Sequence, residues 1–257
     1  MGEQSRFDSD HELARFGAVE AGRALLALRE DLGFSDARLL RDRGDRLAHE
    51  LLTTLLAQER PADAVLSEEG MDDQCRLTAR RVWIVDPLDG TREFGEDGRS
   101  DWAVHVALIE NGEPIAAAVA LPARDVVMTT FPPALVPPSR NGRLRIVVSR
   151  SHTPPEALAV ASALDADLVF MGSAGAKTMA VVLGEADAYI HVGGQYEWDS
   201  AAPVGVALAA GLAATRADGS PLIYNRPDPW LPDQVVCRPA LQAAILAAVR
   251  DAVQEAA

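Results

Sequence analysis

Residues Val82-Trp83-Ile84-Val85-Asp86-Pro87-Leu88-Asp89-Gly90-Thr91 form an apolar run that breaks into two carboxylates, a proline, a glycine and a threonine. A run of apolar residues ending in Asp-Pro cannot continue as helix, because the residue before a proline is driven to extended geometry. The segment therefore reads as a buried strand over 82–85 that hands two acids to a tight loop starting at Asp86. Three residues apart in a turn, Asp86 and Asp89 can converge on one point, with the Leu88 carbonyl facing the same way. Oxygen donors without His or Cys suit a hard ion such as Mg²⁺, which takes few carboxylates and fills its shell with water and substrate phosphate. The phosphoaspartate pattern, Asp-x-Asp-Gly-Thr after a strand, has its acids two apart. The step here is three, which in an extended chain does not keep two side chains on one face. Alone, the segment also fits a plain strand end followed by an Asp-Gly turn.

Two further junctions present acid. Ala64-Val65-Leu66-Ser67-Glu68-Glu69-Gly70 is a short apolar run ending in a carboxylate pair, and Glu197-Trp198-Asp199-Ser200-Ala201-Ala202-Pro203 opens an Ala-rich, helix-like segment. Asp199 has a plain structural reading as the cap of its helix, and so has a fourth candidate, Asp45 in Arg43-Gly44-Asp45-Arg46, as the cap of the helical pattern that follows it. The constellation of Asp45, Glu68, Asp86, Asp89 and Asp199 is what points to ion-assisted phosphate chemistry.

Glu68-Glu69, Asp86-Pro87-Leu88-Asp89-Gly90-Thr91, Gly172-Ser173-Ala174-Gly175-Ala176-Lys177 and Trp198-Asp199-Ser200-Ala201-Ala202 occur in an order and spacing that resemble the inositol monophosphatase superfamily of lithium-sensitive, Mg²⁺-dependent phosphatases, over roughly residues 10 to 250. Thr91-Arg92-Glu93-Phe94 and Val148-Ser149-Arg150-Ser151-His152 are similar to its CysQ-type members, the 3'-phosphoadenosine 5'-phosphate phosphatases, nearest to their actinobacterial branch. The resemblance implies a layered αβαβα sandwich, of the kind shared by inositol monophosphatase and fructose-1,6-bisphosphatase, with the site where two halves meet. It implies Glu68, Asp86, the Leu88 carbonyl, Asp89 and Asp199 as ligands of two or three Mg²⁺ ions, and Li⁺ as an inhibitor. It further implies that Thr91, with Asp45 or Glu68, orients the attacking water. On the substrate side it implies Gly90, Thr91, Arg92, Ser173, Lys177 and Asp199. A homodimer is the family expectation. Arg92 replaces the usual Lys, and its planar fork suits a second phosphate; its plain reading is a solvated surface charge. Lys177, the single lysine among 24 basic residues, suggests a specific contact. The expected substrate is 3'-phosphoadenosine 5'-phosphate, hydrolysed to AMP, with 3'-phosphoadenylyl sulfate as a further candidate. The rivals are an inositol-1-phosphate or fructose-1,6-bisphosphate phosphatase, and a non-catalytic partner-binding regulator.

The remaining features bound this reading. A net charge of −14 over 257 residues speaks against a protein that coats a nucleic-acid polymer, which demands clustered Lys and Arg. A small phosphate substrate stays compatible, because bound cations invert the local field. Cys75 and Cys237 have no metal spacing and read as free thiols. The polar N-terminus and the lack of any 18-residue apolar run give a cytoplasmic protein, not a membrane one, as the expectation. Helical spacing covers 13–28 and 45–56, strands are expected at 64–66 and 82–85, and a hairpin joins 102–109 to 114–121. The Gly-rich, charged loop 92–100 is expected to be a mobile flap. Prolines at 132, 133, 137 and 138 with Asn141-Gly142 divide the chain into halves 1–140 and 141–257. Beyond them, strand and helix alternate through 144–148, 155–164, 168–171, 176–183, 188–191 and 200–210. His105 reads as a core strand residue, and Tyr196, Trp198, Tyr224 and Trp230 as core or rim.

Overall fold

Two long helices, α1 (Asp10–Leu32) and α2 (Ala37–Glu59), open the computed structural model, which describes residues 6–140 and 142–256. They lie on one face of a five-stranded sheet built from β1 (Ala64–Ser67), β2 (Arg81–Asp89), β3 (Ala103–Glu110), β4 (Glu113–Leu121) and β5 (Val126–Thr129), in that spatial order. β1 and β2 run parallel, and the remaining pairs are antiparallel. A four-residue turn of helix, α3 (Thr91–Phe94), follows β2 directly.

A second five-stranded sheet contains β6 (Arg145–Ser149), β7 (Asp167–Met171), β8 (Ala188–Tyr196), β9 (Ala213–Thr215) and β10 (Trp230–Cys237), ordered β7-β6-β8-β10-β9. Helices α5 (Ala174–Val182) and α6 (Glu197–Ala209) are packed between the two sheets, while α4 (Pro155–Ala163) and α7 (Gln242–Ala256) cover the outer face of the second. The result is the expected αβαβα layering. No helix among the described residues is long and apolar enough to cross a membrane.

The strict alternation of β2 and β3 explains why both faces of the first sheet are dry. Trp83 and Val85, with Trp102, Val104, Val106 and Leu108, pack under α1 and α2, whereas Val82 and Ile84, with Ala103, Ala107 and Ile109, face the middle helices. Side chains two apart share a face, so a strand buried on both sides reads as a continuous apolar run.

Three expectations need correction. Strand β2 does not end at Val85 but continues to Asp89, because Asp86 still pairs with His105 and Asp89 pairs with Ala103. The partner strand advances two residues while β2 advances three, so one extra residue is accommodated as a bulge. Helix α2 begins eight residues before Asp45, capped by Asp36, whose carboxylate accepts from the Leu39 amide. Gly44 lies inside this helix, where the rings and methyls of Phe94 and Leu88 press on its bare Cα. The charged loop after α3 is pinned rather than loose: Arg29 donates to the carbonyls of Glu96 and Arg99, and Arg150 bridges Glu93 and Glu96. Strands β9 and β10 and helix α7 had no counterpart in the sequence reading.

A Cβ at position 44 would sit 2.7 Å from the Phe94 ring and 3.0 Å from Leu88. Helix preference alone would make Gly44→Ala stabilising by about 1 kcal/mol, but the clash is expected to lower stability by about 1–3 kcal/mol. Urea unfolding reads the difference, and a midpoint that rises would contradict the packing described.

Candidate active site

The bulge in β2 sets the geometry. Asp86 lies opposite His105 on the face that looks toward α6, and the inserted residue returns Asp89 to the same face, opposite Ala103. A spacing of three thus does what a regular strand does with two. Asp199, in the first turn of α6, enters from the other side, and oxygens of Asp86, Asp89 and Asp199 all lie within 4.8 Å of one another. Asp199 also accepts from the Tyr196 amide at 2.7 Å, so its capping role and its place in the cluster coexist. Asp86 accepts the Leu88 amide at 3.1 Å and neighbours the carboxyl of Glu68, which stands on the solvent side just beyond β1.

Asp45, Thr91 and Leu88 form a second small group alongside. Thr91 Oγ1 lies 3.0 Å from the Leu88 carbonyl oxygen and 3.4 Å from Asp45 Oδ1. Gly90, which makes the turn between β2 and α3, has φ of +84°, a conformation that favours glycine, and a Cβ there would meet Ser173 and the Asp101 carbonyl. The amide of Thr91 opens α3 and has no helical acceptor behind it. Arg92 is exposed at the same turn and makes no ion pair among the described residues.

Asp89 is engaged from every side. It accepts from Ser173 Oγ, from the Ala174 amide at 3.1 Å and from the Gly175 amide at 2.6 Å, which are the first groups of α5. His105 Nε2 lies 3.1 Å from the same carboxylate, and His105 Nδ1 lies 3.0 Å from the Trp198 carbonyl. A carbonyl can only accept, so Nδ1 carries a hydrogen. A carboxylate beside Nε2 favours a hydrogen there as well, which raises the pKa of the ring toward the imidazolium form.

The charges divide accordingly. Burial opposes ionisation of Asp89, but His105, Lys177 and Ser173 outweigh it and hold its pKa down to about 2. Burial likewise opposes the His105 cation, and the Asp89 charge overrides it, so its pKa is raised. Asp86 has no such cation: burial first, then the charges of Glu68, Asp89 and Asp199, push it well above the carboxylate range. Burial and the Asp89 charge raise Asp199 to about 6. At Glu68 partial burial and then the charges of Asp199, Asp89 and Glu69 outweigh the lowering contact with Asp86, and its pKa rises to about 7. Asp45 also rises to about 7, through burial and then the Glu69 charge. Carboxylates this crowded, with only one of them paired to protein cations, fit a hard divalent cation bound by oxygen.

Two residues expected on the substrate side are committed elsewhere. Lys177 is 5% exposed, and its ammonium donates to the carbonyls of Ser173 at 2.7 Å and Gly172 at 3.3 Å. It clamps the turn ahead of α5 instead of reaching into the open site. Ser173 spends its hydroxyl on Asp89 and accepts the Ala176 amide as the cap of α5. The sequence reading missed that His105 is an ion-pair partner of Asp89. The one signal was an ionisable residue in an otherwise apolar strand. Tyr196 stacks on Trp198 with ring centres 4.6 Å apart and meets the edge of Trp230, forming a half-exposed rim beside Asp199. Tyr224 is buried and bonds Ser200.

Residues 35–254 match the inositol monophosphatase family. A 3'-phosphoadenosine 5'-phosphate phosphatase of Mycobacterium leprae (strain TN) is 51% identical over 95% of this chain and 94% of its own length. The 3'(2'),5'-bisphosphate nucleotidase CysQ of Escherichia coli (strain K12) is 31% identical, over 73% of this chain and 80% of its own. The crystal structure of CysQ from Bacteroides thetaiotaomicron superposes with a TM-score of 0.80 at 27% identity, covering 91% of this chain and 98% of that one.

The raised pKa values fix the direction of two pH effects. A carboxyl whose folded pKa exceeds its unfolded value contributes stability below the unfolded value and loses it as pH rises through the folded one. Glu68, Asp199 and the raised His105 all act in that sense between pH 5 and 8, whereas Asp89 matters only in acid. Chelator-treated protein should therefore melt lower at pH 8 than at pH 5, and a divalent cation should restore more at pH 8, where it displaces fewer protons. Cation stabilisation that is equal at both pH values would contradict the site.

Proposed function

The chain belongs to the inositol monophosphatase family, and on that premise we propose that this metal-dependent phosphatase removes the 3'-phosphate of 3'-phosphoadenosine 5'-phosphate, leaving AMP and inorganic phosphate. The observation that carries the chemistry is the meeting of Asp86, Asp89 and Asp199 within 4.8 Å. The observation that favours this substrate is the 51% identity to the mycobacterial phosphatase along nearly the whole chain.

In this reading Glu68, Asp86, the Leu88 carbonyl, Asp89 and Asp199 hold two or three Mg²⁺ ions, and Li⁺ inhibits by entering one of their places. Bound there, the ions supply Lewis acidity toward the phosphoryl oxygens and make water acidic enough to attack at neutral pH. The protein manages the proton. Thr91 Oγ1 lies within reach of Asp45, and Asp45, with a pKa of about 7, is poised to accept through that hydroxyl the proton water loses as its oxygen bonds phosphorus. Glu68 is the second candidate for that role. The bond from phosphorus to the ribose 3'-oxygen breaks, and that oxygen takes a proton from solvent.

The amides of Gly90 and Thr91 face the phosphoryl oxygens, meeting charge as it develops. Asp199 borders the nucleoside as well as the ions, and Arg92 meets the 5'-phosphate. Ser173 and Lys177 serve through Asp89 and the turn they hold, given their contacts.

Phosphate release should require Mg²⁺ and favour the bisphosphate nucleotide over inositol-1-phosphate and fructose-1,6-bisphosphate at equal concentration, and Asp86→Asn should lower kcat/KM by about 10²–10⁴-fold. Better hydrolysis of either sugar phosphate would overturn the substrate while keeping the chemistry. No hydrolysis at all would favour a partner-binding role. Arg92→Ala should raise KM for the nucleotide by about 10-fold and leave KM for inositol-1-phosphate unchanged; equal changes for both would remove Arg92 from specificity.

A further inference from the structure

Resting on the reading that Asp86, Asp89 and Asp199 hold the ions, we propose that His105 is a positioning residue that aims Asp89 into the ion site and ties it to the turn carrying Asp199. Three observations converge on it. The ring is fully buried in β3, directly opposite Asp86. Its two nitrogens reach different elements: Nε2 lies 3.1 Å from Asp89 Oδ2, at the end of β2, and Nδ1 lies 3.0 Å from the carbonyl of Trp198, the residue before Asp199. One rigid plane therefore sets the separation of two acids that come from opposite halves of the chain.

The third observation is the space made for the ring. Gly175, in the first turn of α5, donates its amide to the same Asp89 Oδ2, and a Cβ at that position would lie 2.0 Å from His105 Nε2. Backbone and imidazole thus close on a single carboxylate oxygen from two directions, which only a missing side chain allows. Oδ2 takes Ser173 Oγ, the Gly175 amide and His105, while Oδ1 takes the Ala174 amide at 3.1 Å. Oδ1 is the less crowded oxygen and the one left to face an ion. The Nε2 hydrogen is not well aligned on Oδ2, although the two atoms are within ion-pair distance. Packing alone does not call for an imidazole here. A leucine would fill a similar volume at this fully buried position without burying a polar ring.

The role separates from plain structural support by what each substitution leaves behind. His105→Leu keeps bulk and removes both donors. His105→Gln keeps a donor near the place of Nε2 and loses the one at Nδ1. Gly175→Ala keeps the histidine and displaces it from Asp89. Mg²⁺ binding is measured by titration calorimetry on the full chain, without substrate, together with thermal melting in chelator. Groups that orient a ligand are worth about 10–100-fold in affinity, so His105→Leu and Gly175→Ala should each weaken Mg²⁺ binding about 10–100-fold, with His105→Gln, which keeps the contact with Asp89 and loses the tie to Trp198, falling between them and the wild type. Should His105→Leu not fold, the contrast between Gly175→Ala and His105→Gln decides. Wild-type affinity in folded His105→Leu or Gly175→Ala, or a His105→Gln protein that binds as poorly as Gly175→Ala, would overturn the proposal. Absence of Mg²⁺ binding by the wild-type protein would instead overturn the ion-holding reading, and the role of His105 with it.

Discussion

The Asp89 carboxylate is the contact on which both the architecture and the chemistry turn. A buried carboxylate is costly unless its lone pairs are filled and its charge is met. Here the filling comes from Ser173, Ala174 and Gly175 at the start of α5, and the charge from His105 in β3. The acid belongs to the first sheet and most of its donors to the helix layer beneath the second. Satisfying one side chain therefore joins the two halves at a fixed distance. Asp101 repeats the device one turn away by accepting the Gly172 amide. Lys177 closes the same turn from inside by holding the carbonyls of Gly172 and Ser173.

The acids around Asp89 are treated in the opposite way. Asp86, Asp199 and Glu68 are brought close to it and to one another without cations of their own, and their pKa values climb as a result. One ionised carboxylate is guaranteed by the protein, while its neighbours are left without protein cations, the arrangement that suits a hard divalent cation. Such a division suits phosphoryl transfer, where positioning and charge neutralisation do most of the work and the protein supplies no covalent step.

Much of this was legible in the chain because it is written locally. An apolar run ending in Asp-Pro, a Glu pair after a short strand and an acid opening an Ala-rich helix are each short patterns, and their order resembles one family. The layering was expected from that resemblance, and the local patterns by themselves gave only the helices, strands and α/β alternation. What was not legible depends on partners distant in sequence. The bulge that puts Asp86 and Asp89 on one face is visible only in the register against His105 and Ala103. Asp45 was read as the cap of a helix starting there, and the role of Gly44 inside that helix was hidden, because the Phe94 and Leu88 side chains that require its bare Cα lie more than forty positions away. Lys177 was read as a substrate contact because it is the single lysine, yet burial turned it toward its own turn. Strand β10 escaped because Pro232 and Asp233 interrupt its apolar pattern, and its pairing with β8 supplies what the local pattern lacks.

The central claim, that one carboxylate both fastens α5 to the first sheet and completes the ion site, is tested most directly by amide hydrogen exchange on Asp89→Asn. Exchange at Ala174 and Gly175 is expected to speed up in the variant, and added Mg²⁺, expected to slow exchange in the wild-type protein, is expected to have no such effect on it. Unchanged protection of those two amides in a folded Asp89→Asn protein would contradict the account.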